Sequence, residues 1–503
     1  MTTGYLERIL RAPVYDVAEE TPLVVAPRLS AALNHQVWIK REDLQPVFSF
    51  KLRGAYTKMS QLSTEERKRG VIAASAGNHA QGIAISAQLL DVSAIVVMPT
   101  TTPRIKVDAV TSRGAKAVLA GDTFDEAFAH AQGLAKTEKR VFIHPFDDPD
   151  VIAGQGTVAL EIFRQHRGKI DCIFVPVGGG GLIAGIGVYA KHVHPNTRII
   201  GVEPADSACM GAAFKAGKPV ALDTVGIFAD GVAVRQVGDE TFRLAQECVD
   251  EMIVVDTDEI CAAIKDLFED TRSIAEPAGA LGLAGLKRYV AQHGGSGQTL
   301  VAIESGANMN FDRLRHVAER SDFSERKEAL LGVSIPEKKG SFLRFCQTLG
   351  ALPITEFNYR FKDAQQAHIF VGVGLTGGLD EVTAITRRLV SGGLEVIDMT
   401  DNEAAKLHLR YMVGGRADTA FERLVRFEFP ERPGALLRFL SAMGDRWNIS
   451  LFHYRNQGAA FGRVLAGIQV PPEENEAFAR FIEDIGYGAI EETDNPAYAL
   501  FLQ

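Results

Sequence analysis

"CIFVPVGGGGLIAGIG", residues 172–187, runs from an apolar segment into four glycines and then into small and apolar residues. Similar segments recur between about residues 20 and 310, among them "GVIAASAGN", "SAIVVMP", "RIIGVEP" and "QTLVAIESG", with helical stretches between them. Apolar strands alternating with helices are typical of a parallel sheet covered on both faces. Ligands of such folds collect at the carboxyl ends of the strands, where these glycine-rich and small polar loops fall.

The composition indicates a folded protein of two or three domains, because 503 residues exceed the size of one ordinary core. Hydrophobic residues make up 46% and charged residues 23%, and the net charge is −9. No basic surface for nucleic acid or an anionic membrane is expected. Since no apolar run reaches the ~18 residues that span a bilayer, we expect no membrane association and a cytoplasmic location.

Cysteine and histidine spacing gives no sign of a metal or disulfide site. The five cysteines lie far apart, and the twelve histidines show no paired spacing of the zinc-binding kind. The sequence therefore predicts reduced, buried thiols and no metal site.

The last third of the chain contains an internal repeat. Residues 334–345, "SIPEKKGSFLRF", align with residues 428–439, "EFPERPGALLRF", and residues 356–361, "EFNYRF", align with residues 451–456, "LFHYRN". Each copy has the order strand, glycine turn, helix, strand, strand, helix, strand, which is the ferredoxin-like arrangement. The second half is therefore predicted to be an α+β domain of two ferredoxin-like repeats.

Two roles are open for these repeats. A packing or dimerisation module without a ligand is one. The glycines at the first strand-to-helix turns, Gly340 and Gly434, favour a sensor of small molecules, because they allow backbone amides to approach a ligand.

The four glycines at 178–181 predict a phosphate site. Successive glycine amides at a helix N-terminus form an anion-binding concavity. The pattern Gly179-x-Gly181-x-x-Ala184, followed by Glu203 after the next strand, also permits a dinucleotide fingerprint, although such a motif alone is weak evidence.

Two further strand-end loops carry small polar residues. "AASAGNHAQG", residues 73–82, is either an ordinary helix cap or a loop whose amides hold a carboxylate while Asn78 contacts a planar group. In "IESGAN", residues 303–308, Ser305 is able to share a hydrogen bond with a neutral ring nitrogen.

Lys51 lies in "SFKLRGAY", between Phe50 and Leu52. A sheltered lysine has a lowered pKa and forms imines readily, although a neutralised core lysine or a partner of Glu42 or Asp43 is also consistent with the position. An amine for an aldehyde, amides for a phosphate, an asparagine for a ring hydroxyl and a serine for a ring nitrogen together describe a site for pyridoxal 5′-phosphate.

The motifs at residues 40–56, 75–82, 177–185 and 304–308 resemble those of the threonine and serine dehydratases, pyridoxal phosphate enzymes of the tryptophan-synthase-β-like fold (fold type II). With its tandem repeats, the whole chain resembles the biosynthetic threonine dehydratases, or threonine ammonia-lyases, whose repeats are ACT-like. The resemblance implies a two-subdomain α/β catalytic domain with a mostly parallel sheet at residues 1–322, a linker at 323–329, and regulatory repeats at 330–422 and 423–503.

The resemblance also implies roles for individual residues. Lys51 would hold the cofactor and, once displaced by substrate, take the α-proton, with Ser75 as a secondary acid or base. The implied cofactor contacts are Lys51, Phe50, Asn78, Gly178, Gly179, Gly180, Gly181, Leu182 and Ser305. The implied substrate contacts are Ser75, Ala76, Gly77, Asn78 and His79. The racemases of this fold bind a divalent cation through a Glu and an Asp, but Cys209 stands here where that Asp is expected.

The implied reaction is β-elimination of L-threonine to 2-oxobutanoate and ammonia, with L-serine giving pyruvate. Isoleucine as inhibitor, valine as activator and a homotetrameric assembly are implied in the same way. Other pyridoxal phosphate enzymes, such as serine racemase or threonine synthase, normally lack two C-terminal repeats. A non-catalytic amino-acid sensor is disfavoured by the intact Lys51, and a nicotinamide oxidoreductase is the weakest alternative.

Overall fold

A computed structural model describes residues 3–226, 228–311, 313, 314, 317, 318, 320, 328–361, 365–375, 379–402, 405, 417–430, 434–455 and 461–495. The chain divides into two compact units, Met1–Ser321 and Asp322–Gln503. Of the predicted linker at 323–329, residues 323–327 lie outside the described residues, and residues 328 and 329 belong to the first strand of the second unit.

The larger sheet of the first unit has six strands in the order β1-β2-β10-β7-β8-β9. The strands are β1 (Leu23–Val25), β2 (Gln36–Arg41), β7 (Cys172–Pro176), β8 (Arg198–Pro204), β9 (Glu251–Val255) and β10 (Thr299–Glu304). Only the pairing of β1 with β2 is antiparallel within this sheet.

A second sheet of four parallel strands, in the order β5-β4-β3-β6, completes this unit. Its strands are β3 (Val71–Ala74), β4 (Ala94–Met98), β5 (Lys116–Leu119) and β6 (Val141–Phe142). Strands β3, β4, β7 and β10 are buried along their whole length, as expected where helices cover both faces of a parallel sheet.

Thirteen α-helices are described in the first unit. They are α1 (Thr3–Arg11), α2 (Pro27–Leu33), α3 (Lys51–Ser60), α4 (Thr64–Arg69), α5 (Asn78–Leu90), α6 (Arg104–Thr111), α7 (Phe124–Thr137), α8 (Pro149–Gln165), α9 (Gly181–Val193), α10 (Cys209–Ala216), α11 (Asp239–Cys248), α12 (Thr257–Thr271) and α13 (Pro277–His293). Local sequence explains several helix starts: Thr123 and Glu126 form a capping box at α7, and Asp148 accepts from the first amides of α8.

The second unit contains one antiparallel sheet of eight strands, in the order β14-β11-β13-β12-β16-β17-β15-β18. The strands are β11 (Glu328–Pro336), β12 (Ile354–Arg360), β13 (Gln366–Gly374), β14 (Glu395–Asp398), β15 (Glu422–Pro430), β16 (Asn448–Arg455), β17 (Phe461–Gln469) and β18 (Gly488–Glu491). Its α-helices in the described part are α14 (Ser341–Leu349), α15 (Leu379–Ser391), α16 (Ala435–Met443) and α17 (Asn475–Ile485). Each half has the predicted ferredoxin-like order.

The two repeats join through their second strands, β12 and β16. Asn358 pairs with His453 in this register, and these two residues are also equivalent in the alignment of the repeats. A pseudo-twofold axis therefore crosses the sheet at this pair. Phe357 and Phe452, again equivalent, lie in a T-shaped contact with ring centroids 5.2 Å apart, so one hydrophobic core serves both repeats.

All five cysteines are buried free thiols. In the described part of the chain, no helix has the length and apolar character needed to cross a bilayer. No group of three or more His, Cys, Asp or Glu side chains among the described residues is arranged to hold a metal ion.

Candidate active site

A cavity of about 290 Å³ lies where loops from both sheets of the first unit meet. Residues at or directly after the carboxyl ends of β3, β7 and β10 contribute to its wall, which is where ligands of parallel sheets bind. The lining includes all the predicted site residues: Phe50, Lys51, Ser75, Ala76, Gly77, Asn78, His79, Gly178, Gly179, Gly180, Gly181, Leu182 and Ser305. A larger cleft of about 1220 Å³ shares several wall residues, including Ala76 and Phe146, and adjoins this cavity.

Lys51 is the first residue of α3, and its Nζ donates to the Pro145 carbonyl oxygen at 3.0 Å. The ammonium group also lies 5.4 Å from the centroid of the Phe50 ring. Burial lowers the pKa of Lys51 to about 8, against a smaller opposing effect of the Glu276 carboxylate. A substantial neutral fraction near pH 8 makes this amine a nucleophile and a base.

The glycine loop between β7 and α9 has no room for side chains. Gly180 has a φ of +96°, and Gly181 begins α9. A Cβ on Gly179 would lie 2.2 Å from the Phe146 ring, so Phe146 packs directly on this loop. Because backbone amides at the start of a helix have no acceptor within the helix, the amides of this loop are able to donate hydrogen bonds to a bound anion.

The loop after β3 turns directly into α5. Ser75 Oγ accepts from the Gly77 amide at 3.2 Å, and Asn78 is the first helical residue. His79 Nε2 hydrogen-bonds to the Ile143 carbonyl oxygen at 3.1 Å. Burial, with a smaller contribution from the Lys51 charge, lowers the pKa of His79 to about 3, so the ring is neutral at physiological pH.

The loop after β10 is tied to the lysine loop. The Phe50 amide donates to the Ser305 carbonyl oxygen at 3.3 Å, and Ser49 forms an isolated bridge with Gly306. Ser305 is 3% exposed, and its Oγ donates to the Ala278 carbonyl oxygen at 3.3 Å. Lys51 and Ser305 are thereby held in one rigid arrangement.

Five polar residues of the cavity wall were not among the predicted site residues: Gln81, Lys106, Asp230, Glu276 and Asn308. Glu276 and Asn308 contact Asn78. Asn78 Nδ2 donates to Glu276 Oε1 at 2.5 Å, and Asn308 Nδ2 donates to Asn78 Oδ1 at 2.8 Å. Glu276 directly precedes Pro277 at the start of α13, so in the sequence it looks like an ordinary residue before a helix. Asn308 ends the quoted "IESGAN" segment, but no spacing rule connects it to Asn78.

Behind α3, four charged side chains form a fully buried network. Arg53 contacts Glu42 at 2.8 Å and Glu161 at 2.6 Å, and Lys40 contacts Glu161 at 2.5 Å. All four side chains have 0% exposure. Two cations balance two carboxylates, which is the condition under which charges are tolerated in a protein interior. The network anchors the helix that begins at Lys51.

These groups fit pyridoxal phosphate chemically. The cavity has an amine, a glycine loop at a helix start, an amide held by two neighbours and a serine hydroxyl. A Cβ at Gly179 or Gly180 would collide with Phe146 or Met210, respectively, so this loop packs closely enough that only glycine fits at these two positions.

The family comparisons agree with this chemistry. Residues 14–306 match the family described as pyridoxal-phosphate dependent enzyme, and residues 319–409 and 413–502 match the C-terminal regulatory domain of threonine dehydratase. The chain is 55% identical over 502 residues to L-threonine dehydratase biosynthetic IlvA of Burkholderia multivorans, covering 99% of both proteins. It is 55% identical over 499 residues to the Escherichia coli protein of the same name, covering 99% of this chain and 97% of the relative.

Solved structures of pyridoxal phosphate enzymes match about two thirds of the chain. Processed threonine deaminase isoform 2 from Solanum lycopersicum matches with a TM-score of 0.63 and 52% identity over 64% of this chain and 93% of that one. Maize serine racemase matches with a TM-score of 0.58 and 31% identity over 63% and 96% of the two chains.

The chain is thus a pyridoxal-phosphate-dependent lyase of fold type II with a regulatory domain. More narrowly, it belongs to the biosynthetic threonine dehydratase family. The predicted fold class, cofactor and family are confirmed, and the alternative of a nicotinamide oxidoreductase is wrong. The roles of individual site residues stay predictions.

Proposed function

We propose that this protein converts L-threonine to 2-oxobutanoate and ammonia as the committed step of isoleucine biosynthesis, and L-serine to pyruvate. The single observation that carries this proposal is the position of the Lys51 amine in one cavity with the glycine loop and Ser305, in a chain of the threonine dehydratase family.

Lys51 is proposed to hold the cofactor and to move the substrate α-proton. The bound cofactor supplies an electron sink for the charge that develops when this proton leaves. Because the pKa of Lys51 is lowered to about 8, more of its amine is neutral near pH 7 than for an ordinary lysine, and only the neutral amine can accept the proton. Ser75 lies on the cavity wall as a second proton donor or acceptor.

The glycine loop and Ser305 are proposed to hold the two polar ends of the cofactor. Amides of Gly178, Gly179, Gly180, Gly181 and Leu182 would bind its phosphate at the start of α9. A hydroxyl at Ser305 leaves the ring nitrogen neutral, whereas a carboxylate would keep it protonated. Loss of the β-hydroxyl is then favoured over fates that need a stronger electron sink.

The loop from Ser75 to His79 is proposed to bind the substrate carboxylate through backbone amides. The His79 ring is engaged with Ile143, so the amide of this residue, and not its side chain, is the proposed contact. Phe50 and Asn78 are proposed to contact the ring of the cofactor.

The second unit is proposed to sense isoleucine as inhibitor and valine as activator. Both repeats have a glycine in the left-handed region at the start of their first helix, Gly340 with φ +81° and Gly434 with φ +87°. This geometry leaves helix-start amides accessible to a small amphiphilic ligand. A homotetramer in the cytoplasm is proposed as the working form.

A direct test measures 2-oxo acid released from threonine and from serine by the purified, cofactor-supplied protein. Lys51→Ala is expected to abolish the visible absorption band of the lysine-bound cofactor and the release of 2-oxobutanoate. Lys58→Ala is the matched control, because Lys58 lies on the same helix but pairs with Asp148 and Asp150. D-serine as the main product from L-serine would support a racemase instead.

A further inference from the structure

The Asn78 side chain is held at both ends of its amide group. Asn308 Nδ2 donates to Asn78 Oδ1 at 2.8 Å, and Asn78 Nδ2 donates to Glu276 Oε1 at 2.5 Å. Asn308 Nδ2 also donates to the Val47 carbonyl oxygen at 2.8 Å. An asparagine amide has two N–H hydrogens and one oxygen. The bonds to Glu276 and Asn308 use one hydrogen and the oxygen of Asn78, so its second Nδ2 hydrogen takes no part in them.

The two neighbours also exclude the flipped amide. In the flipped orientation the Asn78 oxygen would face a carboxyl oxygen of Glu276, and its NH₂ group would face the NH₂ group of Asn308. Both contacts would be repulsive, and a buried unpaired polar group costs about 1–3 kcal/mol. Asn78 is 8% exposed, so solvent does little to relieve that cost.

Glu276 occupies a niche built from backbone. A Cβ on Gly306 would lie 2.8 Å from Glu276 Oε1, and a Cβ on Gly231 would lie 3.3 Å from it. Glu276 is 3% exposed. Asn78 lies in α5, Glu276 directly before α13, and Asn308 in the loop after β10. The hydrogen bonds among these three residues therefore fix Asn78 against the part of the unit that contains the six-stranded sheet.

We propose that Glu276 and Asn308 are positioning residues that fix the orientation of the Asn78 amide, so that a hydrogen-bond donor faces the ring hydroxyl of pyridoxal phosphate. This inference rests on the proposed contact between Asn78 and the cofactor ring. A donor at this oxygen stabilises its ionised form, which the visible absorption of the lysine-bound cofactor reports.

The positioning role does not depend on the charge of Glu276. Burial, with a smaller contribution from Asp230, raises the pKa of Glu276 to about 7, while Asn78, Lys106 and the Asn308 amide oppose this shift. The ionised carboxylate can only accept, whereas a protonated carboxyl group or a glutamine amide could also donate to a flipped Asn78 oxygen. In those forms Asn308, which is held by the Val47 carbonyl oxygen and donates to Asn78 Oδ1, excludes the flip. A glutamine at this position also retains an oxygen that accepts from Asn78, and we expect it to preserve the orientation.

The test uses the full-length holoenzyme and compares the absorption spectra of Asn78→Ala, Glu276→Ala and Glu276→Gln at fixed pH. We expect Asn78→Ala and Glu276→Ala to move absorbance from the visible band to the near-ultraviolet band. Both variants should also weaken the binding of pyridoxal phosphate to the apoprotein about tenfold, which corresponds to the loss of roughly one hydrogen bond. Glu276→Gln should keep the wild-type spectrum. In an Asn78→Ala background, Glu276→Ala should add no further shift.

The outcomes separate this inference from the functional proposal on which it rests. A wild-type spectrum for Asn78→Ala would overturn the ring contact itself. A shift for Asn78→Ala without one for Glu276→Ala, or an added shift in the double variant, would overturn only the positioning role. Glu259→Ala removes a half-buried carboxylate that contacts Arg288 and should leave the spectrum unchanged. Should Glu276→Ala fail to fold, Asn308→Ala decides alone, because it removes the donor to Asn78 Oδ1 and should shift the spectrum in the same direction.

Discussion

Arg360, at the end of β12 in the first repeat, forms an ion pair with Glu422, with Nη1 2.6 Å from Oε1. Glu422 is the first residue of β15, so the second repeat includes residue 422, one position before the predicted boundary at 423. The Arg360 and Glu422 side chains are only 7% and 3% exposed. Ser450, on β16, also donates a hydrogen bond to Glu422. The contact therefore crosses the seam at which β12 and β16 join the two repeats.

Glu422→Ala is expected to destabilise the second unit by about 3–5 kcal/mol, because it removes the buried carboxylate that pairs with Arg360 and accepts from Ser450. Denaturant unfolding followed by tryptophan fluorescence in a Trp38→Phe background reports this unit, since Trp447 is buried in its core and Trp38, the other tryptophan, lies in β2 of the first unit. Glu474→Ala is the control, because Glu474 pairs with the half-exposed Arg446 and such pairs contribute about 0–1 kcal/mol. Equal effects of the two variants would contradict the role of the seam pair.

Arg53→Met should destabilise the first unit, also by about 3–5 kcal/mol, because it leaves Glu42 and Glu161 with Lys40 as their remaining buried cation. The substitution also loosens α3, which begins at Lys51, so we expect slower covalent capture of the cofactor. Stopped-flow absorbance of apoprotein mixed with pyridoxal phosphate measures that rate. Arg69→Met, at the end of the neighbouring α4, should leave both stability and rate near wild type.

Lys51 is expected to react with the cofactor aldehyde in a pH-dependent way. Only the neutral amine attacks an aldehyde, and burial lowers the pKa of Lys51 to about 8. The capture rate should therefore rise with pH to a midpoint near 8 and then level off. Because the Glu276 carboxylate raises the pKa of Lys51, Glu276→Gln should move this midpoint to lower pH. A midpoint near that of an ordinary lysine would show that the amine is not sheltered in the apoprotein.

Much of the site follows from short sequence segments, because each combines a strand end, a glycine or small residue and a helix start. Lys51, Asn78, Ser305 and the glycine loop were predicted in this way, and the structure brings them to one cavity. The parallel topology explains part of this success, since the carboxyl ends of parallel strands lie at one edge of their own sheet. The approach of the loop after β3 to the loops after β7 and β10, which belong to the other sheet, did not follow from the sequence.

The parts that escaped prediction depend on contacts between loops distant in sequence. Glu276 is separated from Asn78 by 198 positions, and a glutamate before a helix-starting proline is common for local reasons. In the second unit, the repeat predicted the ferredoxin-like order, but the pairing of β12 with β16 did not follow from it. That choice depends on which exposed strand edges fit one another.

Gly179→Ala is expected to weaken pyridoxal phosphate binding at least about tenfold, a cost of about 1.4 kcal/mol, because the new Cβ would lie 2.2 Å from the Phe146 ring. Spectroscopic titration of the apoprotein measures the dissociation constant. Gly133→Ala is the control, because Gly133 lies within α7 with no atom near its Cβ position. The control should retain cofactor affinity and gain about 0.5–1 kcal/mol of stability, since alanine favours a helix more than glycine does.

The effector assignment to the two repeats can be separated at Gly340 and Gly434, which both have a positive φ. No atom lies within 4 Å of a Cβ built at Gly434, and Asp445 Cβ lies 3.8 Å from one built at Gly340. A bulky β-branched residue disfavours the positive-φ conformation by about 1–2 kcal/mol and shields the amides at the helix start. Gly340→Val and Gly434→Val should therefore leave threonine turnover intact while each changes the response to isoleucine or to valine. Titration of steady-state activity with both amino acids shows which response each variant loses. Unchanged inhibition and activation in both variants would place the effector sites away from these turns, and loss of both responses in one variant would assign both ligands to a single repeat.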